Sequence, residues 1–176
     1  NIIKNLKLGF DPNLFTKKNL NSYFGKFLKL KSIKNNLIDE ISKFKNLKQK
    51  PFYSLDNKFV GESHQSKINK ITNKLKHNNA DYLFISSPEN VAWLMNIRGH
   101  DNPNSPIPNC RLLISKNSSI FLIAEKKITS KIIKEEKIKK EQVINPNEFE
   151  ELIKKLKGKN FIIDSLSCSI LNEKII

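Results

Sequence analysis

Strand-like and helix-like patterns alternate along the chain, and this order limits the folds open to it. Leu6, Leu8 and Phe10 alternate with other residues as in a β-strand, and the turn-forming pair Asp11-Pro12 follows. The same reasoning predicts further strands at residues 82–86, 112–115, 120–124, 142–144 and 161–164. It predicts helices at residues 16–28, 36–44, 63–79, 128–133 and 147–156, and one from residue 88 that ends by Gly99. With 38% hydrophobic residues the chain can bury a core, which excludes a wholly disordered protein.

Residues 46–62 separate two groups of these elements. No helical or strand period holds across them, Pro51 interrupts them, and Gly61 lies near their end. Ser63 then suits the N-cap of a new helix. We therefore expect a first unit at residues 1–45, a linker at 46–62 and a second unit at 63–176.

An internal similarity links the two ends of the chain. The stretch from Asn5 to Pro12 resembles the stretch from Gly158 to Ser165, because each has a basic or polar start, an apolar strand, an Asp and a turn former. The chain also begins without Met and ends within an apolar helical pattern at residues 170–176. We expect it to enter near the close of one αβ unit, to leave near the close of another, and to be a fragment of a longer protein.

The net charge of +15 raises the alternative of a small basic nucleic-acid-binding module, because Lys and Arg that neutralise phosphates supply most non-specific affinity. Only Arg98 and Arg111 provide the planar guanidinium group favoured at base edges, and the excess of Lys, Asn and Ile matches an A/T-rich codon composition. The aromatic residues stand at core-like spacings rather than between the charges. These observations argue against a nucleic-acid partner.

Residues with metal-binding or nucleophilic chemistry do not cluster in the sequence. The three histidines are far apart, and neither Cys110 nor Cys168 has a second Cys nearby, so spacing predicts no metal site. The glycines are isolated and no Gly-x-Ser-x-Gly segment occurs, which excludes a phosphate-cradling loop and a nucleophile elbow. No apolar run reaches the roughly 20 residues of a membrane span, and the two cysteines fit a reducing compartment. We expect a cytoplasmic protein without a membrane partner.

The segment from Tyr82 to Glu125 differs from the Lys-rich remainder. Its ionisable charges sum to zero, and it holds both Arg residues, the only Trp, the only Met and four of the seven Pro. Within it, Trp93 offers a large apolar face, and Gly99 suits the left-handed backbone past a helix end. Arg98 and Asp101 can form a bidentate pair across that turn. The arrangement is either a structural clamp or a clamp that projects to a substrate entry or a partner surface.

This segment resembles the Trp-Leu-(Leu/Phe)-Asn-(Ile/Leu)-Arg-Gly-x-Asp motif of the three-domain Xaa-Pro aminopeptidases, also called aminopeptidases P, through Ala92 to Gly99 with Asp101 and Pro106. The resemblance continues in the same order at Gly9 to Pro12 with Leu14 and Thr16, at Asn36 to Asp39, and at Gly61 with Ser63 and Lys67. Two departures occur. A Lys-rich stretch ending at Lys50-Pro51 replaces the family's Trp-Thr-Asp-Arg-Pro, and Asn13 stands where an aromatic residue is usual.

The resemblance implies an α/β fold: a creatinase N-terminal-like domain with a mixed β-sheet flanked by helices, preceded by the last αβ elements of a similar domain. Residues 1–45 would be the C-terminal elements of creatinase-like domain I, and residues 63–176 most of domain II, truncated at its C-terminal end. In this family a separate catalytic domain binds two divalent metal ions, Mn or Zn, through two Asp, one His and two Glu. None of these ligands matches a position here, so no cofactor is expected in this chain.

The chain is therefore expected to be the non-catalytic N-terminal and middle region of a hydrolase that removes the N-terminal residue from peptides with proline in the second position. Its implied partners are its own C-terminal catalytic domain, proline-containing peptides and a second copy in a homodimer. The residues expected at the substrate cleft or the interdomain seam are Trp93, Asn96, Arg98 and Asp101. A catalytically inactive paralogue that acts as a scaffold is the remaining alternative.

Overall fold

The computed structural model describes residues 6–24, 28–41, 50–135 and 137–176, without the side chain of Lys127. The helices are α1 Lys17–Phe24, α2 Leu37–Ile41, α3 Asn57–Val60, α4 His64–His77, α5 Pro88–Met95, α6 Ser130–Lys134, α7 Phe149–Lys155 and α8 Ile170–Ile175. The strands are β1 Lys7–Phe10, β2 Lys29–Ser32, β3 Tyr53–Ser54, β4 Tyr82–Ile85, β5 Ile97–Arg98, β6 Arg111–Ser115, β7 Ile120–Ile123, β8 Val143–Ile144 and β9 Phe161–Ile163. Short 3-10 turns occupy Lys126–Thr129, Lys140–Gln142 and Pro146–Glu148.

The described residues divide into two compact units. The first combines those of Asn1–Leu47 with Asp164–Ile176, and the second contains those of Lys48–Ile163. The second unit is thus inserted, in the order of the chain, between the two parts of the first.

The second unit is built on a mixed five-stranded sheet in the order β8-β7-β6-β4-β9. Strand β6 pairs antiparallel with both β4 and β7, while β4 pairs parallel with β9 and β7 pairs parallel with β8. Strands β6 and β7 form the predicted hairpin, and its loop contains Ser118 in a left-handed conformation with φ 65°. The predicted α/β fold with a mixed sheet flanked by helices is confirmed.

The central strands are apolar on both faces because helices cover the sheet on each side. Leu112 and Ile114 of β6 belong to a core that includes buried residues of α4 and α5. Leu113 points to the opposite face, where its strand partner Phe84 stacks on Phe149 of α7 with ring centroids 5.1 Å apart. Full burial of each such side chain contributes about 1.5–3 kcal/mol. A sheet buried in this way gives the rigid support on which α4 and α5 are placed.

The first unit contains a small parallel sheet formed by β1 and β2, connected through α1. The Oγ1 atom of Thr16 accepts a hydrogen bond from the Asn19 N–H, which caps the start of α1 as the sequence predicts. Strand β2 was not predicted. It begins directly after the predicted helix at residues 16–28, in a stretch without a predicted element, and its exposed Lys residues hide its strand pattern.

The two similar stretches of sequence form the same local structure. Each strand, β1 or β9, is followed by an Asp whose Oδ1 accepts a hydrogen bond from the N–H two residues later. Each turn then leads to a Thr or Ser N-cap, Thr16 for α1 and Ser169 for α8. The predicted echo is therefore a repeated strand, Asp turn and capped helix.

Residues 164–176 belong to the first unit in this structure, whereas the sequence analysis included them with residues 63–163. The N–H groups of Ile170 and Leu171 donate to the carbonyl oxygens of Phe15 and Pro12, at 2.8 and 3.0 Å. These bonds join the start of α8 to the turn before α1. The assignment of residues 1–45 and 63–176 to two family domains stays a prediction.

The predicted linker also contains structure in its described part, residues 50–62, where β3 and α3 are found. Helix α2 lies within the predicted helix at residues 36–44, of which residues 42–44 are outside the described part. Among the described residues, no helix has the length and apolar composition needed to span a membrane.

Candidate functional site

Helix α5 ends in a tight turn that organises the predicted site. Pro88 occupies its first position, where a missing N–H has no cost. Asn96 follows the helix in the left-handed conformation, with φ 53° and ψ 42°, and its N–H donates to the Ala92 carbonyl oxygen. Asn tolerates this conformation better than most residues. The prediction that Gly99 makes the left-handed turn is therefore wrong, since Asn96 makes it.

A buried lysine from α4 lies under this turn. Lys67 is only 4% exposed, and its Nζ atom donates 2.7 Å hydrogen bonds to the Trp93 carbonyl oxygen and to Asn96 Oδ1. The same Nζ lies 4.1 Å from the centre of the Trp93 ring. A buried ammonium needs such partners because its desolvation is otherwise strongly unfavourable. Lys67 thus ties the last turn of α5 to α4.

The charges around Lys67 act in opposite directions. Burial lowers the pKa of the Lys67 ammonium, the Glu62 carboxylate raises it, and the positive charge of Arg98 lowers it. Glu62 itself is bound to Lys70, with 2.7 Å between Oε1 and Nζ. Among the described residues, the direct contacts of the Lys67 ammonium are two neutral oxygen atoms and an indole ring.

Several hydrogen bonds of this region converge on Asn96, which is 1% exposed. Its Nδ2 donates to the main-chain carbonyl oxygen of Glu62 at 2.8 Å, and its main-chain carbonyl oxygen accepts the Leu55 N–H at 2.9 Å. Together with the bond from Lys67, these contacts join the segments before α3 and α4 to the end of α5. Loss of the Asn96 side chain would leave buried polar groups without partners.

Arg98 continues the turn into β5 and fastens it to α5. Its Nη1 donates to the carbonyl oxygens of Ala92 and Ile97, at 3.2 and 2.8 Å. Its backbone lies opposite Tyr53 in the antiparallel pair β3–β5, and the Tyr53 ring packs 5.1 Å from the His100 ring. These contacts fasten β5 to α5 and β3 through groups other than Asp101.

The predicted bidentate pair between Arg98 and Asp101 is wrong. In the described ranges no ion pair joins them, because the Arg98 guanidinium binds carbonyl oxygens and Oδ2 of Asp101 accepts the Asn109 N–H at 2.5 Å. Asp101 instead lines a surface cavity of about 280 Å³ together with Glu89 and Pro108. The structure therefore brings Trp93 and Asn96 together through Lys67, places Arg98 beside them, and leaves Asp101 at the cavity.

Gly99 allows a close approach between two segments of the loop. A Cβ atom at this position would lie 2.7 Å from the Cα atom of Pro108, closer than packed atoms can approach. The Gly99 N–H also donates to the Pro106 carbonyl oxygen at 2.9 Å. Gly99 does not adopt a positive φ. Glycine is therefore needed here because a Cβ atom would clash with Pro108.

Trp93 is 61% exposed although it stands among buried residues of α5. One face of the indole covers Lys67, and much of the side chain is exposed to solvent. Sequence reasoning did not identify Lys67 as part of the site. Lys67 precedes Ile71 by one helical turn and so occupies the apolar face of α4, and a lysine at such a position is a signal of a buried, partnered ammonium.

The described residues do not provide a metal site. No group of three or more His, Cys, Asp or Glu side chains comes close enough to hold a metal ion in this part of the chain. The resemblance places the two-metal centre in a separate catalytic domain, outside this chain.

Comparisons with known proteins agree with the fold. A sequence model described as the creatinase/prolidase N-terminal domain matches residues 44–175. Xaa-Pro aminopeptidase 1 of Dictyostelium discoideum is 29% identical over 145 residues, which cover 74% of this chain and 23% of that protein. Xaa-Pro aminopeptidase 2 of Homo sapiens is 32% identical over 128 residues, which cover 68% of this chain and 19% of that protein.

A solved structure is also similar. It is an X-prolyl aminopeptidase from Caenorhabditis elegans, described as a cytosolic enzyme with a di-nuclear active site. The TM-score is 0.76 at 24% sequence identity, and the match covers 96% of this chain and 30% of that chain. At this identity the likeness shows the fold alone. The chain spans less than a quarter of the length of the two curated relatives.

Proposed function

The chain belongs to the creatinase/prolidase N-terminal domain family, and on this basis we propose that it is the non-catalytic N-terminal and middle region of an Xaa-Pro aminopeptidase. In this proposal the parent protein removes the N-terminal residue from peptides with proline in the second position. The names of the relatives in Dictyostelium and human support this substrate class. The two divalent metal ions, Mn or Zn, belong to a catalytic domain outside this chain, and the parent protein acts in the cytosol.

The role proposed for this region is to shape substrate access and the contacts between domains or subunits. The observation that carries it is the exposed indole of Trp93 above the buried pair Lys67 and Asn96. A large aromatic side chain that is held rigidly and left open is typical of residues that dominate binding interfaces. Of Trp93, Asn96, Arg98 and Asp101, the residues predicted for the cleft or the seam, Trp93 is proposed to make the contact. Asn96, which is 1% exposed, and Arg98 support it from the turn, and Asp101 lies at the surface cavity.

The test of this role is Trp93→Ala in the full-length parent enzyme. Loss of an interface anchor should lower kcat/KM for an Xaa-Pro peptide by about tenfold or more, while metal content stays unchanged. Phe59→Ala is the matched control, because Phe59 is 76% exposed in the same unit and lies outside the motif. Equal kinetics for wild type and both variants, with unchanged subunit association, would refute the role proposed for Trp93.

The absence of catalysis from this region is tested separately. The purified 176-residue chain, supplied with Mn²⁺ or Zn²⁺, should not release an N-terminal residue from an Xaa-Pro peptide. Release that depends on the metal would overturn the assignment of the chain to a non-catalytic region. If the wild-type parent protein has no peptidase activity and Trp93→Ala weakens its subunit association, the scaffold alternative is supported instead.

A further inference from the structure

We infer that His64 makes the anchoring of the α5 turn sensitive to acid: the start of α4 is formed around a neutral imidazole, and protonation of that ring loosens it. The device regulates the turn that carries Trp93, and it rests on the proposed function only in taking Trp93 as a functional residue. The ligand of this device is a proton from the solvent.

The first observation is a buried nitrogen atom without a partner. Among the described residues, Nδ1 of His64 is the one buried side-chain nitrogen or oxygen atom that makes no hydrogen bond. A neutral imidazole has one donor and one acceptor nitrogen, whereas an imidazolium has two donors. Whichever tautomer the neutral ring has, protonation leaves a charged N–H at Nδ1, and no acceptor for it lies among the described residues. Burial of such a group is strongly unfavourable.

The second observation is the charge around the ring. Lys67 lies about one helical turn further along α4, and Lys137 comes from the segment after α6. Burial lowers the pKa of the His64 imidazole, and the positive charges of Lys137 and Lys67 lower it further. The described charges that act on the ring are therefore both positive, and they oppose the addition of a third.

Two described carboxylates of the same segments are engaged elsewhere. Glu62, two residues before His64, binds the Lys70 ammonium with 2.7 Å between Oε1 and Nζ. Glu135, near the end of α6, accepts a hydrogen bond from the Ser54 hydroxyl. These carboxylates have partners of their own and are not hydrogen-bonded to the imidazole.

The third observation is the place of His64 in its helix. It is the first residue of α4, a helix of 14 residues that begins after the N-cap Ser63. The free N–H groups of a first helical turn carry partial positive charge, which favours anions and disfavours a cation. Protonation at this position therefore acts against the helix start as well as against the two lysines.

The start of α4 is also where the α5 turn is held. The main-chain carbonyl oxygen of Glu62 accepts Asn96 Nδ2 at 2.8 Å, and the Lys67 ammonium binds the Trp93 carbonyl oxygen at 2.7 Å. His64 lies between these two anchors in sequence. A charge on its ring thus weakens the segment that fixes both ends of the contact with α5.

The direction of the effect follows from linkage. The pKa of His64 in the folded chain is below its ordinary value of 6.5, so an opened start of α4 binds a proton before the closed one does. The closed form therefore has its full stability above pH 6.5 and loses stability as the pH falls from 6.5 toward the folded-state pKa.

Trp93 is the only tryptophan of the chain, so its fluorescence reports on the turn. In the wild-type 176-residue chain, acrylamide quenching should increase from about pH 8 to about pH 5, because the indole face over Lys67 becomes accessible. His64→Leu has no proton site and should lose this increase. His77→Leu is the matched control, since it removes the other histidine of the same helix at an exposed position, and it should behave as wild type.

Urea unfolding measures the same linkage as stability. From about pH 8 to about pH 5 the urea midpoint of wild type should fall further than that of His64→Leu. Lys137→Met should show a smaller loss than wild type, because one of the two repelling charges is gone. Equal losses of midpoint in wild type and folded His64→Leu, or quenching that increases equally in both, would overturn the inference. Cooperative unfolding establishes that each variant is folded.

A second measurement applies if His64→Leu does not fold. The chain has three histidines, and the imidazole Hε1 NMR signal present in both His77→Leu and His100→Leu belongs to His64. This signal should titrate with a midpoint below 6.5, and a midpoint at or above 6.5 would contradict the inference without any change at His64. All of these measurements use the chain alone, so their failure is distinguishable from unaltered kinetics of Trp93→Ala in the parent enzyme.

Discussion

The Nζ atom of Lys67 and the Oδ1 atom of Asn96 form a 2.7 Å hydrogen bond between two side chains that are both almost fully buried. Lys67 comes from α4, and Asn96 ends α5, so this bond joins two helices on the same side of the sheet. The left-handed conformation of Asn96 directs its side chain toward the ammonium. The positions of Trp93 and Arg98 both depend on this turn.

The first prediction separates the two contributions of Asn96. Asn96→Gly keeps the left-handed turn but removes the side-chain bonds to Lys67 and Glu62, which should lower the free energy of unfolding by about 1–3 kcal/mol. Asn96→Ala places a Cβ atom in the left-handed conformation without the local hydrogen bonds of Asn. It should therefore lose about 1–2 kcal/mol more than Asn96→Gly. Urea unfolding of both variants measures the difference. Equal stabilities would contradict the role given to the left-handed backbone.

The second prediction concerns Arg98 as a clamp. Arg98→Ala removes charged hydrogen bonds to the carbonyl oxygens of Ala92 and Ile97 and should lower the free energy of unfolding by about 1–3 kcal/mol. Arg98→Lys should fall between wild type and Arg98→Ala, because Lys keeps the charge but lacks the fork. Thermal and urea unfolding measure the stability.

In the parent enzyme, Arg98→Ala should also lower kcat/KM at a temperature where the variant is folded, with metal content unchanged. Kinetics equal to those of wild type would reduce Arg98 to a stabilising residue of the turn.

The third prediction uses the close contact at Gly99. Gly99→Ala brings a Cβ atom to 2.7 Å from the Pro108 backbone, so the loop must shift, at a cost of about 1–3 kcal/mol. Gly9→Ala is the control, since its Cβ would meet only the side chain of Ile33, at 3.0 Å, which can move. Urea unfolding should show a clear loss for Gly99→Ala and a smaller effect for Gly9→Ala. The reverse order would contradict the steric explanation.

The fourth prediction concerns pH and Asp81, which joins β4 to the start of β9. The hydrogen bond from the Lys116 ammonium, then that from the Asn160 N–H, lower the pKa of the Asp81 carboxyl from its ordinary value of 3.8. A lowered pKa in the folded state means that the carboxylate stabilises the fold above pH 3.8 and that this contribution is lost as the pH falls through the folded-state pKa.

The measurement compares the urea unfolding of wild type and Asp81→Asn. Wild type should be the more stable at about pH 7, and the difference should shrink at about pH 2. Lys116→Met removes the principal partner of Asp81. The difference in stability between wild type and this variant should also shrink from about pH 7 to about pH 2. A difference that is independent of pH would mean that the Asp81 charge does not contribute to stability.

Much of the second unit could be predicted from the sequence because its central strands, β6 and β7, are buried on both faces. Leu112, Leu113 and Ile114 are all fully buried, so β6 is a continuous apolar run bounded by turn formers. The hairpin with β7 and the capped start of α4 at Ser63 follow from equally local signals. Such elements need little information from elsewhere in the chain.

The contacts that organise the site depend on tertiary structure and could not be predicted in the same way. The spacing of Arg98 and Asp101 permits an ion pair. In the structure, however, Arg98 donates to a carbonyl oxygen of α5, and Asp101 accepts the Asn109 N–H. Lys67 is distant in sequence from Trp93, so no local pattern joins them. Strand β2 is missed because one parallel partner, β1, stabilises a segment whose side chains are mostly polar.

The first unit combines elements that are far apart in sequence, so its assembly depends on long-range contacts. The carbonyl oxygens of Pro12 and Phe15 receive the N–H groups of Leu171 and Ile170 only after everything between them has been synthesised. Shortening the chain to Ile163 would therefore unsettle its N-terminal turn while sparing the five-stranded sheet. During synthesis, α8 must therefore emerge from the ribosome before β1 and α1 can complete their packing.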